Sequence, residues 1–330
     1  MNYNYLGKTS IKVSEFALGC WPFAGGSVWG NQNKSDSIST VHSALANGIN
    51  FFDTAEGYDD DFHSETILGE ALKNSRNKSV IATKISPSNL FPKKIERACD
   101  NSLKRLGTDY IDLYQIHWPN HDVNIEDSIN ELNKLIQKGK IRSIGVCNFG
   151  VLDLKDILKV ADISTNQIPY NLLWRPIEYE ILPESINNNI GMICYSPLAQ
   201  GLLTGRYKNP DEVPDGISRS RLFNKERPLA NHGEEGCEEE VFIAIEKIRN
   251  IAFDLGEHPA KLALAWTRQQ SNVTSLLVGA RNKNELELNL SAFEYNLDED
   301  VINNLSTITD SVKKYLGNNA DMWNSKNRMR

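Results

Sequence analysis

Short β-branched segments alternate with amphipathic helical segments along most of this chain of 330 residues. Four consecutive predicted strands end near residues 53, 84, 117 and 147, which places their ends 31, 33 and 30 residues apart. A connection of that length holds one helix, as a crossover between parallel strands requires. Segments such as IDLYQI and SIGVC are apolar nearly throughout, which is typical of strands buried on both faces. The repeat therefore restricts the chain to α/β architectures built on a parallel sheet.

Eight strands are predicted, and each is followed by a helix or by a connection that contains one. The predicted strands span residues 16–19, 50–54, 79–84, 111–117, 141–148, 165–167, 192–195 and 275–278. The predicted helices span residues 35–47, 65–73, 92–106, 125–138, 152–160, 183–189, 239–255 and 259–270. Ser35 and Ser64 are predicted to cap the first two helices, and Gly107 to end the third. This succession is typical of a (β/α)8 TIM barrel, which we predict as one domain over residues 1–330.

An open doubly wound sheet is the alternative architecture, and it would favour an early glycine-rich phosphate loop. The nearest candidate, GCWPFAGG at residues 19–26, lacks the G-x-G-x-x-G spacing of such a loop. Two segments lie outside the repeat. Residues 3–6 and 11–13 flank a GKTS turn, which predicts an N-terminal β-hairpin that closes one mouth of the barrel. Residues 199–238, after strand seven, form a long segment rich in Gly, Pro and charge, which is typical of a functional lid or of a disordered loop.

Charge and composition exclude several functional classes. The 36 basic and 43 acidic residues give a net charge of −7 without a Lys/Arg block, so a general nucleic-acid binder is not expected. No segment approaches the roughly 18 apolar residues of a membrane helix, and the polar start MNYNYLGKTS does not resemble a signal peptide. Five cysteines without a C-x-x-C pair predict neither a disulfide framework nor a zinc knuckle. We therefore expect a cytoplasmic protein, either monomeric or homo-oligomeric, with no membrane or nucleic-acid partner.

Four polar residues follow three successive predicted strands. Asp53 ends the second strand, Tyr58 lies on the loop after it, Lys84 ends the third strand and His117 ends the fourth. Because active sites of TIM barrels lie at the carboxyl ends of the strands, these side chains are predicted to face one cavity. Each residue alone has an ordinary structural explanation, such as a helix cap or a loop contact. The four together indicate a catalytic site.

The types of these residues predict a proton donor. A phenol has a pKa of about 10 in water, and we expect the ammonium of Lys84, held by Asp53, to make Tyr58 more acidic. Tyr58 would then protonate a carbonyl oxygen, while a neutral His117 would donate a hydrogen bond to the same oxygen. Because the set contains neither a nucleophile nor a metal site, the expected reductant is a nicotinamide hydride.

Two other kinds of site fit the residues less well. His117 and His121 have H-x-x-x-H spacing, but Pro119 between them opposes the helix that would bring both rings to one ion. No metal site is therefore predicted. The acids at residues 59–61 would suit a hydrolase only with a second acid across the pocket, and none is apparent. A solvated acidic rim is the preferred interpretation of that run.

Several longer motifs extend this site to a family resemblance over essentially the whole chain. They are GINFFDTAEGY, SETILGEAL, LGTDYIDLYQIHWP, GKIRSIGVCNF, YSPLAQGLLTGRY and VGARNKNELELN. With these motifs the chain resembles the aldo-keto reductase superfamily, and most closely its bacterial branch of general-stress and inositol-related oxidoreductases. The resemblance implies that Asp53, Tyr58, Lys84 and His117 form a catalytic tetrad in which Tyr58 is the proton donor.

The resemblance also implies a set of residues that bind the dinucleotide. Asn148 and Gln167 would hold the nicotinamide carboxamide, Tyr195 would stack on the nicotinamide ring, and Arg206 would reach the phosphates. The remaining residues implied to bind the cofactor are Gly19, Cys20, Trp21, Asp53, Ser196, Pro197, Leu198, Gln200, Gly201, Gly279, Ala280, Arg281, Glu285 and Asn289. Cys147 stands before Asn148 where the family commonly has Ser, so its role stays open.

The segment VGARNKNELELN bears on the choice of cofactor. Arg281 is expected to clamp a 2′-phosphate at the start of the following helix. Glu285 and Leu288, however, depart from the usual family residues, and a carboxylate suits a free ribose hydroxyl better than a phosphate. NADPH is therefore the first expectation, with NADH as an open alternative.

Aromatic residues near the expected mouth suggest the substrate pocket. Trp21, Trp29, Tyr58, His117 and Trp118 are predicted to line it. The implied function is an NAD(P)H-dependent reductase of aldehydes or ketones, with sugar-derived carbonyls as one candidate group. The alternative is a cofactor-binding regulatory subunit similar to potassium-channel β subunits.

Overall fold

The N-terminal residues form an antiparallel hairpin of β1 (Tyr3–Tyr5) and β2 (Lys12–Ser14) in this computed structural model. The structure describes residues 1–59 and 63–330, without the side chains of residues 27 and 28, so Asp60 and Asp61 of the acidic run lie outside it. Leu6, Ile11 and Val13 pack against apolar side chains from the barrel strands. The hairpin closes the barrel at the amino ends of its strands, which confirms the predicted N-terminal hairpin.

Eight parallel strands form a closed barrel, which confirms the predicted fold. They are β3 (Phe16–Gly19), β4 (Phe51–Asp53), β5 (Val80–Ile85), β6 (Leu113–Ile116), β7 (Ile144–Cys147), β8 (Thr165–Pro169), β9 (Gly191–Tyr195) and β10 (Val273–Gly279). Neighbours in sequence are neighbours in the barrel, and β10 pairs with both β9 and β3 to close it. All eight contain residues that were predicted as strand, because these runs are apolar on both faces.

Twelve α-helices lie within the described residues. They are α1 (Gly26–Trp29), α2 (Lys34–Ala46), α3 (Ser64–Leu72), α4 (Pro92–Leu106), α5 (Ile125–Gln137), α6 (Val151–Ile157), α7 (Ile181–Asn187), α8 (Glu238–Asp254), α9 (Pro259–Arg268), α10 (Lys283–Leu290), α11 (Glu299–Ile308) and α12 (Asp310–Leu316). Of these, α1, α11 and α12 were not predicted as helices, and α10 was expected only as the helix that follows Arg281.

Two of the predicted caps were wrong. The side chain of Asn33, and not that of Ser35, caps α2 by accepting a hydrogen bond from the Ser35 amide. Ser64 is the first residue of α3, and its hydroxyl donates to the Cys20 carbonyl instead of capping the helix. Gly107 ends α4 in the left-handed conformation, as predicted, because glycine adopts positive φ without strain.

The long segment 199–238 packs against the residues that follow α12. The guanidinium of Arg221 is buried and donates to the carbonyls of Asn319 and Asp321, at 2.8 and 3.0 Å. The Arg221 amide donates to the Met322 carbonyl at 2.9 Å. Further along, Arg330 lies against Gly150, at the start of α6. The C-terminal residues therefore lie beside the loops that follow the barrel strands.

Candidate active site

The four predicted catalytic residues lie together at the carboxyl end of the barrel. Asp53 is the last residue of β4, Lys84 lies in β5, Tyr58 follows β4 on its loop, and His117 follows β6 directly. Lys84 Nζ forms an ion pair with Asp53 Oδ1 and donates to Tyr58 Oη at 3.2 Å. The ring centroids of Tyr58 and His117 are 5.8 Å apart, with the rings nearly perpendicular. The structure thus brings all four side chains into one cluster.

The Lys84 ammonium is held by three oxygens. Besides Asp53 and Tyr58, it donates to the Thr54 carbonyl at 2.8 Å. An ammonium has three hydrogens to donate, so these bonds satisfy it completely. The side chain is fully buried, so water does not compete for these bonds. Lys84 is consequently fixed with its charge facing the phenol oxygen.

Burial, together with the nearby charges, keeps Tyr58 protonated. Burial raises the pKa of Tyr58 and Lys84 lowers it, but burial and the Asp53 charge prevail, so the pKa rises to about 12. Burial alone would lower the pKa of Lys84, but the charge of Asp53 and the other neighbours raise it overall. The expected contribution of Lys84 is present, yet the predicted net acidification of the phenol is not. Tyr58 therefore keeps its proton available for transfer throughout the neutral pH range.

His117 is neutral in this environment. Burial and, secondarily, the positive charge of Lys84 lower the pKa of its imidazole to about 3. A neutral imidazole has one N–H to donate. The geometry beside Tyr58 therefore suits the hydrogen-bond donor that the sequence predicts.

Two buried glutamines donate hydrogen bonds to the Asp53 carboxylate. Gln115 Nε2 and Gln167 Nε2 donate to Asp53 Oδ2 at 3.0 and 2.7 Å. Gln167 was predicted to bind the cofactor, and its amide nitrogen is already bonded to Asp53. Gln115 was not predicted, although a polar residue within the apolar run IDLYQI of β6 was a signal for it.

The predicted nicotinamide residues Asn148 and Tyr195 are bonded to each other. Tyr195 Oη donates to Asn148 Oδ1 at 2.9 Å, and Asn148 Nδ2 donates to the His117 carbonyl at 3.1 Å. Asn148 has a φ of 60°, an uncommon value for a residue with a side chain. Such backbone strain concentrates at functional sites. This network joins the loops after β6, β7 and β9 beside the catalytic cluster.

Aromatic side chains form one wall beside Tyr58. The ring of Trp21 stacks on that of Tyr58 at 5.3 Å between centroids, and Trp29 meets Trp21 edge-on at 5.4 Å. Trp118, next to His117, stacks with the guanidinium of Arg328 at 3.8 Å. Arg328 was not predicted, because the C-terminal residues lie outside the strand–helix repeat. The predicted pocket residues thus flank the catalytic cluster.

The turn after β9, where phosphate-binding residues were predicted, has a strained backbone. Ser196, Ala199 and Gln200 all have positive φ, and Pro197 and Leu198 lie between them. A Cβ on Gly201 would come within 2.9 Å of the guanidinium of Arg206. Arg206 stacks on Tyr207 and has no carboxylate partner among the described residues. The predicted phosphate residues therefore lie together, with an unneutralised cation beside them.

A second cation on the long segment was missed by the sequence analysis. Arg219 stacks on Trp323 at 4.7 Å, and its Nε is buried without a hydrogen-bond partner in the described structure. The hydroxyl of the neighbouring Ser218 is likewise buried and unbonded. Unsatisfied buried donors of this kind are uncommon and suit a ligand with acceptor oxygens. A phosphate carries acceptor oxygens of that kind.

The predicted adenosine residues gather at the start of α10. Arg281 donates through its guanidinium to Gln32 Oε1 and to the Asn31 carbonyl, at 3.1 and 2.6 Å. Glu285 Oε2 accepts the Arg281 amide at 2.8 Å, so a carboxylate occupies this helix N-terminus. Asn289 Nδ2 donates to the Gly279 carbonyl at 3.2 Å. The guanidinium of Arg281 is therefore held by neutral acceptors, and its contact with a 2′-phosphate stays a prediction.

The ends of the first and last barrel strands lie side by side. Gly19 pairs with Gly279 in adjacent strands, as residues of one cofactor site require. Cys20 and Ala280, however, are fully buried, and the thiol of Cys20 donates to the Leu18 carbonyl. Neither residue has accessible surface for a bound molecule in this conformation, which corrects the contacts predicted for them.

The described residues contain neither a cluster of metal ligands nor a membrane-spanning helix. Within residues 1–59 and 63–330, no three His, Cys, Asp or Glu side chains are grouped closely enough to hold a metal ion. None of the described helices combines the length and apolar character needed to cross a bilayer.

Comparison with known families and proteins gives matches over nearly the whole chain. The model of the aldo/keto reductase family matches residues 15–310. Aldo-keto reductase YhdN of Bacillus subtilis is 34% identical, covering 94% of this chain and 95% of the relative. The NADH-specific methylglyoxal reductase of Escherichia coli is 34% identical, with coverages of 89% and 94%. A probable voltage-gated potassium channel subunit beta of Arabidopsis thaliana is 32% identical, with coverages of 89% and 92%.

Solved structures share the architecture. The glycerol dehydrogenase AKR11B4 from Gluconobacter oxydans has a TM-score of 0.80 and 31% identity, covering 94% of this chain and 95% of that one. An aldo-keto reductase from Klebsiella pneumoniae, solved with NADPH, has a TM-score of 0.74 and 26% identity, with coverages of 94% and 96%.

Proposed function

The chain belongs to the aldo/keto reductase family, and from this premise we propose that it reduces aldehydes or ketones with Tyr58 as the proton donor. It is an NAD(P)-dependent oxidoreductase that acts on carbonyl groups. The observation that carries the proposal is the 3.2 Å hydrogen bond between Lys84 Nζ and Tyr58 Oη, made by a lysine that is itself paired with Asp53.

Each of the four residues has a different role in the proposed reduction. The bound reduced nicotinamide supplies the hydride for the carbonyl carbon. Tyr58 gives its proton to the oxygen as negative charge develops there, and neutral His117 donates a hydrogen bond to the same oxygen. Lys84 stabilises the phenolate that proton transfer leaves behind, and Asp53 keeps Lys84 charged and in place.

The cofactor is NADPH, with NADH as the alternative. Support comes from Arg206 and Arg219, which have no carboxylate partner among the described residues, and from the positive-φ turn after β9; each of these features suits a phosphate. In this proposal Asn148, Gln167 and Tyr195 hold the nicotinamide end. Glu285 lies where a 2′-phosphate would approach α10, which favours tolerance of NADH. One relative is named as NADH-specific, while a structural neighbour was solved with NADPH.

The proposed substrates are small oxygenated carbonyl compounds, with sugar-derived aldehydes and ketones among them. The stacked rings of Trp21 and Tyr58 provide an apolar wall, while Trp29 Nε1 is buried without a partner in the described structure. An indole N–H is a hydrogen-bond donor, so it suits a substrate hydroxyl. Relatives named for methylglyoxal and glycerol point to the same size class.

The proposal is tested by turnover of the purified chain. We expect oxidation of NADPH, and more slowly of NADH, in the presence of a panel containing methylglyoxal, glyceraldehyde, dihydroxyacetone and aldoses. The absorbance of the reduced cofactor at its usual wavelength measures the rate. Cofactor binding, followed by Trp fluorescence, separates failure to bind from failure to react. Tight binding with no turnover on any carbonyl would contradict the proposal.

The second candidate is a regulatory subunit, which the potassium-channel β relative favours. Such a role needs cofactor binding but not fast turnover. The two candidates therefore differ in the single-turnover rate of bound NADPH with a reactive aldehyde. A rate well above that of free NADPH favours the reductase, because it shows that the site accelerates the chemistry.

The pH dependence of the two reaction directions should differ. Since the pKa of Tyr58 is raised to about 12 and that of His117 is lowered to about 3, neither group titrates between pH 6 and 9. A raised pKa keeps the acid form of Tyr58 up to high pH, so single-turnover reduction should vary less than about threefold in that window. Alcohol oxidation needs the phenolate, whose fraction rises about tenfold per pH unit. Reduction that declines around pH 7 would contradict the proposed proton donor.

A further inference from the structure

The second oxygen of the Asp53 carboxylate is held by two glutamine side chains, of which Gln115 has no role in the proposed chemistry so far. Oδ1 faces Lys84, whereas Oδ2 accepts from Gln115 Nε2 and Gln167 Nε2. Asp53, Lys84, Gln115 and Gln167 are all buried. Because the carboxylate has no hydrogen to donate, both glutamines must turn their NH2 groups toward it. The orientation of both amides is therefore determined by the charge of Asp53.

Gln115 is placed by the register of the barrel. It pairs with Lys84 across β5 and β6, so both side chains enter the barrel interior at one level. Its own oxygen accepts from Gln167 Nε2 at 3.4 Å and from the Cys147 thiol at 3.6 Å. Gly145, its neighbour on β7, makes room, since a Cβ there would lie 3.2 Å from Gln115 Cγ. Gln115 is thus bonded both to Asp53 and to Gln167, the other side chain that holds the carboxylate.

We infer that Gln115 is a positioning residue for the reaction, acting through Asp53 to keep the Lys84 ammonium on the Tyr58 oxygen. Without the bond from Gln115, the carboxylate loses one of the two donors that hold its Oδ2. The carboxylate can then rotate about its remaining hydrogen bond from Gln167 Nε2, and the Lys84 ammonium moves with the carboxylate. The inference rests on the proposed role of Tyr58, but it concerns a residue that is not itself among the predicted catalytic or cofactor-binding residues and acts through Asp53.

The other groups around Asp53 do not replace this contact. Cys20 and Cys147 face it from β3 and β7, and burial raises the pKa of both thiols, so they stay neutral. Tyr58 and His117, from the loops after β4 and β6, are also neutral at pH 7. Asp53 and Lys84 are therefore the charged groups of this cluster. A substitution at Gln115 therefore affects the Asp53–Lys84 ion pair directly and Tyr58 only through that pair.

Two variants of Gln115 test the inference. Gln115→Leu keeps the volume but removes the donor, and we expect kcat for carbonyl reduction to fall by about tenfold to a hundredfold. The Kd for NADPH, from Trp fluorescence, should change less than about twofold. Gln115→Glu restores a donor only while its new carboxyl is protonated. Two acids sharing a site repel one another, so that carboxyl should hold its proton to unusually high pH.

The pH profile of Gln115→Glu separates positioning from a structural role. We expect kcat near the wild-type value at low pH and a fall as pH rises, where the wild type stays level. Thr165→Val is the matched control, because the Thr165 hydroxyl is buried in β8 without a partner. Its kcat and pH profile should equal those of the wild type. Wild-type kcat in Gln115→Leu, or a level profile in Gln115→Glu, overturns the inference.

A crystal structure of Gln115→Leu gives an answer that does not depend on turnover. We expect the distance between Lys84 Nζ and Tyr58 Oη to lengthen beyond the hydrogen-bond limit of about 3.5 Å. A distance that stays at 3.2 Å overturns the inference even if the wild type proves inactive. Absence of wild-type turnover, by contrast, counts against the proposed function alone. If Gln115→Leu does not fold, the profile of Gln115→Glu decides.

Discussion

Replacing Tyr58 with Phe should lower kcat for carbonyl reduction by about 10²–10⁴-fold, the contribution of a positioned general acid. The substitution removes one oxygen and keeps the ring, so the stack on Trp21 at 5.3 Å should persist. Lys84 keeps its bonds to Asp53 and to the Thr54 carbonyl. The Kd for NADPH, measured by Trp fluorescence, should therefore change little while the chemical step is lost.

Tyr114→Phe is the matched control for this experiment. Tyr114 is buried in β6, and its hydroxyl has no hydrogen-bond partner in the described structure. Removing that hydroxyl should leave kcat unchanged. Tyr58→Phe with more than a tenth of wild-type kcat would show that the proton comes from another group.

Replacing Lys84 with Met should abolish turnover and also destabilise the fold. The ammonium holds Tyr58 Oη and pairs with Asp53, and both charged groups are buried. Removing one partner of a buried ion pair costs about 3–5 kcal/mol, because the other charge is left in a poorly solvated site. Denaturant unfolding measures that loss, and single-turnover kinetics should show a fall of at least the size expected for Tyr58→Phe.

Two controls separate the causes of these effects. Lys34→Met removes a surface pair with Glu70, and exposed pairs contribute only about 0–1 kcal/mol. The double variant Asp53→Asn with Lys84→Met removes both charges, so much of the lost stability should return. Activity should not return with it, because Tyr58 still lacks its ammonium. A double variant as unstable as Lys84→Met would show that the buried charge is not the cause.

Much of the fold was predictable because its signal is local and repeated. The strand β3 was predicted with its observed bounds, and the apolar runs marked the other seven barrel strands to within a few residues. The helices α11 and α12 were missed, since they follow the last strand–helix unit. The cap of α2 was assigned two residues late and that of α3 one residue late, because the choice among neighbouring polar residues depends on the path of the preceding loop.

The candidate site was predictable only in part. Asp53, Tyr58, Lys84 and His117 could be grouped because parallel strands of a barrel all end at one face. Gln115 was marked only as a polar residue in an apolar strand, and its partner depends on the register of β5 and β6. Arg328 had no signal, since it reaches Trp118 from the distant C-terminal residues. The pKa of Tyr58 was expected to fall beside Lys84, but burial outweighs that charge and raises it.

The sequence by itself determined the barrel and the end of it that carries the polar residues. Hydrophobic periodicity and strand spacing act over short stretches, and they leave few alternatives once they repeat eight times. Only the tertiary structure decided which oxygen each proton donor faces, which cations stay unpaired and how strongly each group is shielded from water. Those properties depend on distances between residues far apart in the chain, and such distances exist only after the barrel closes.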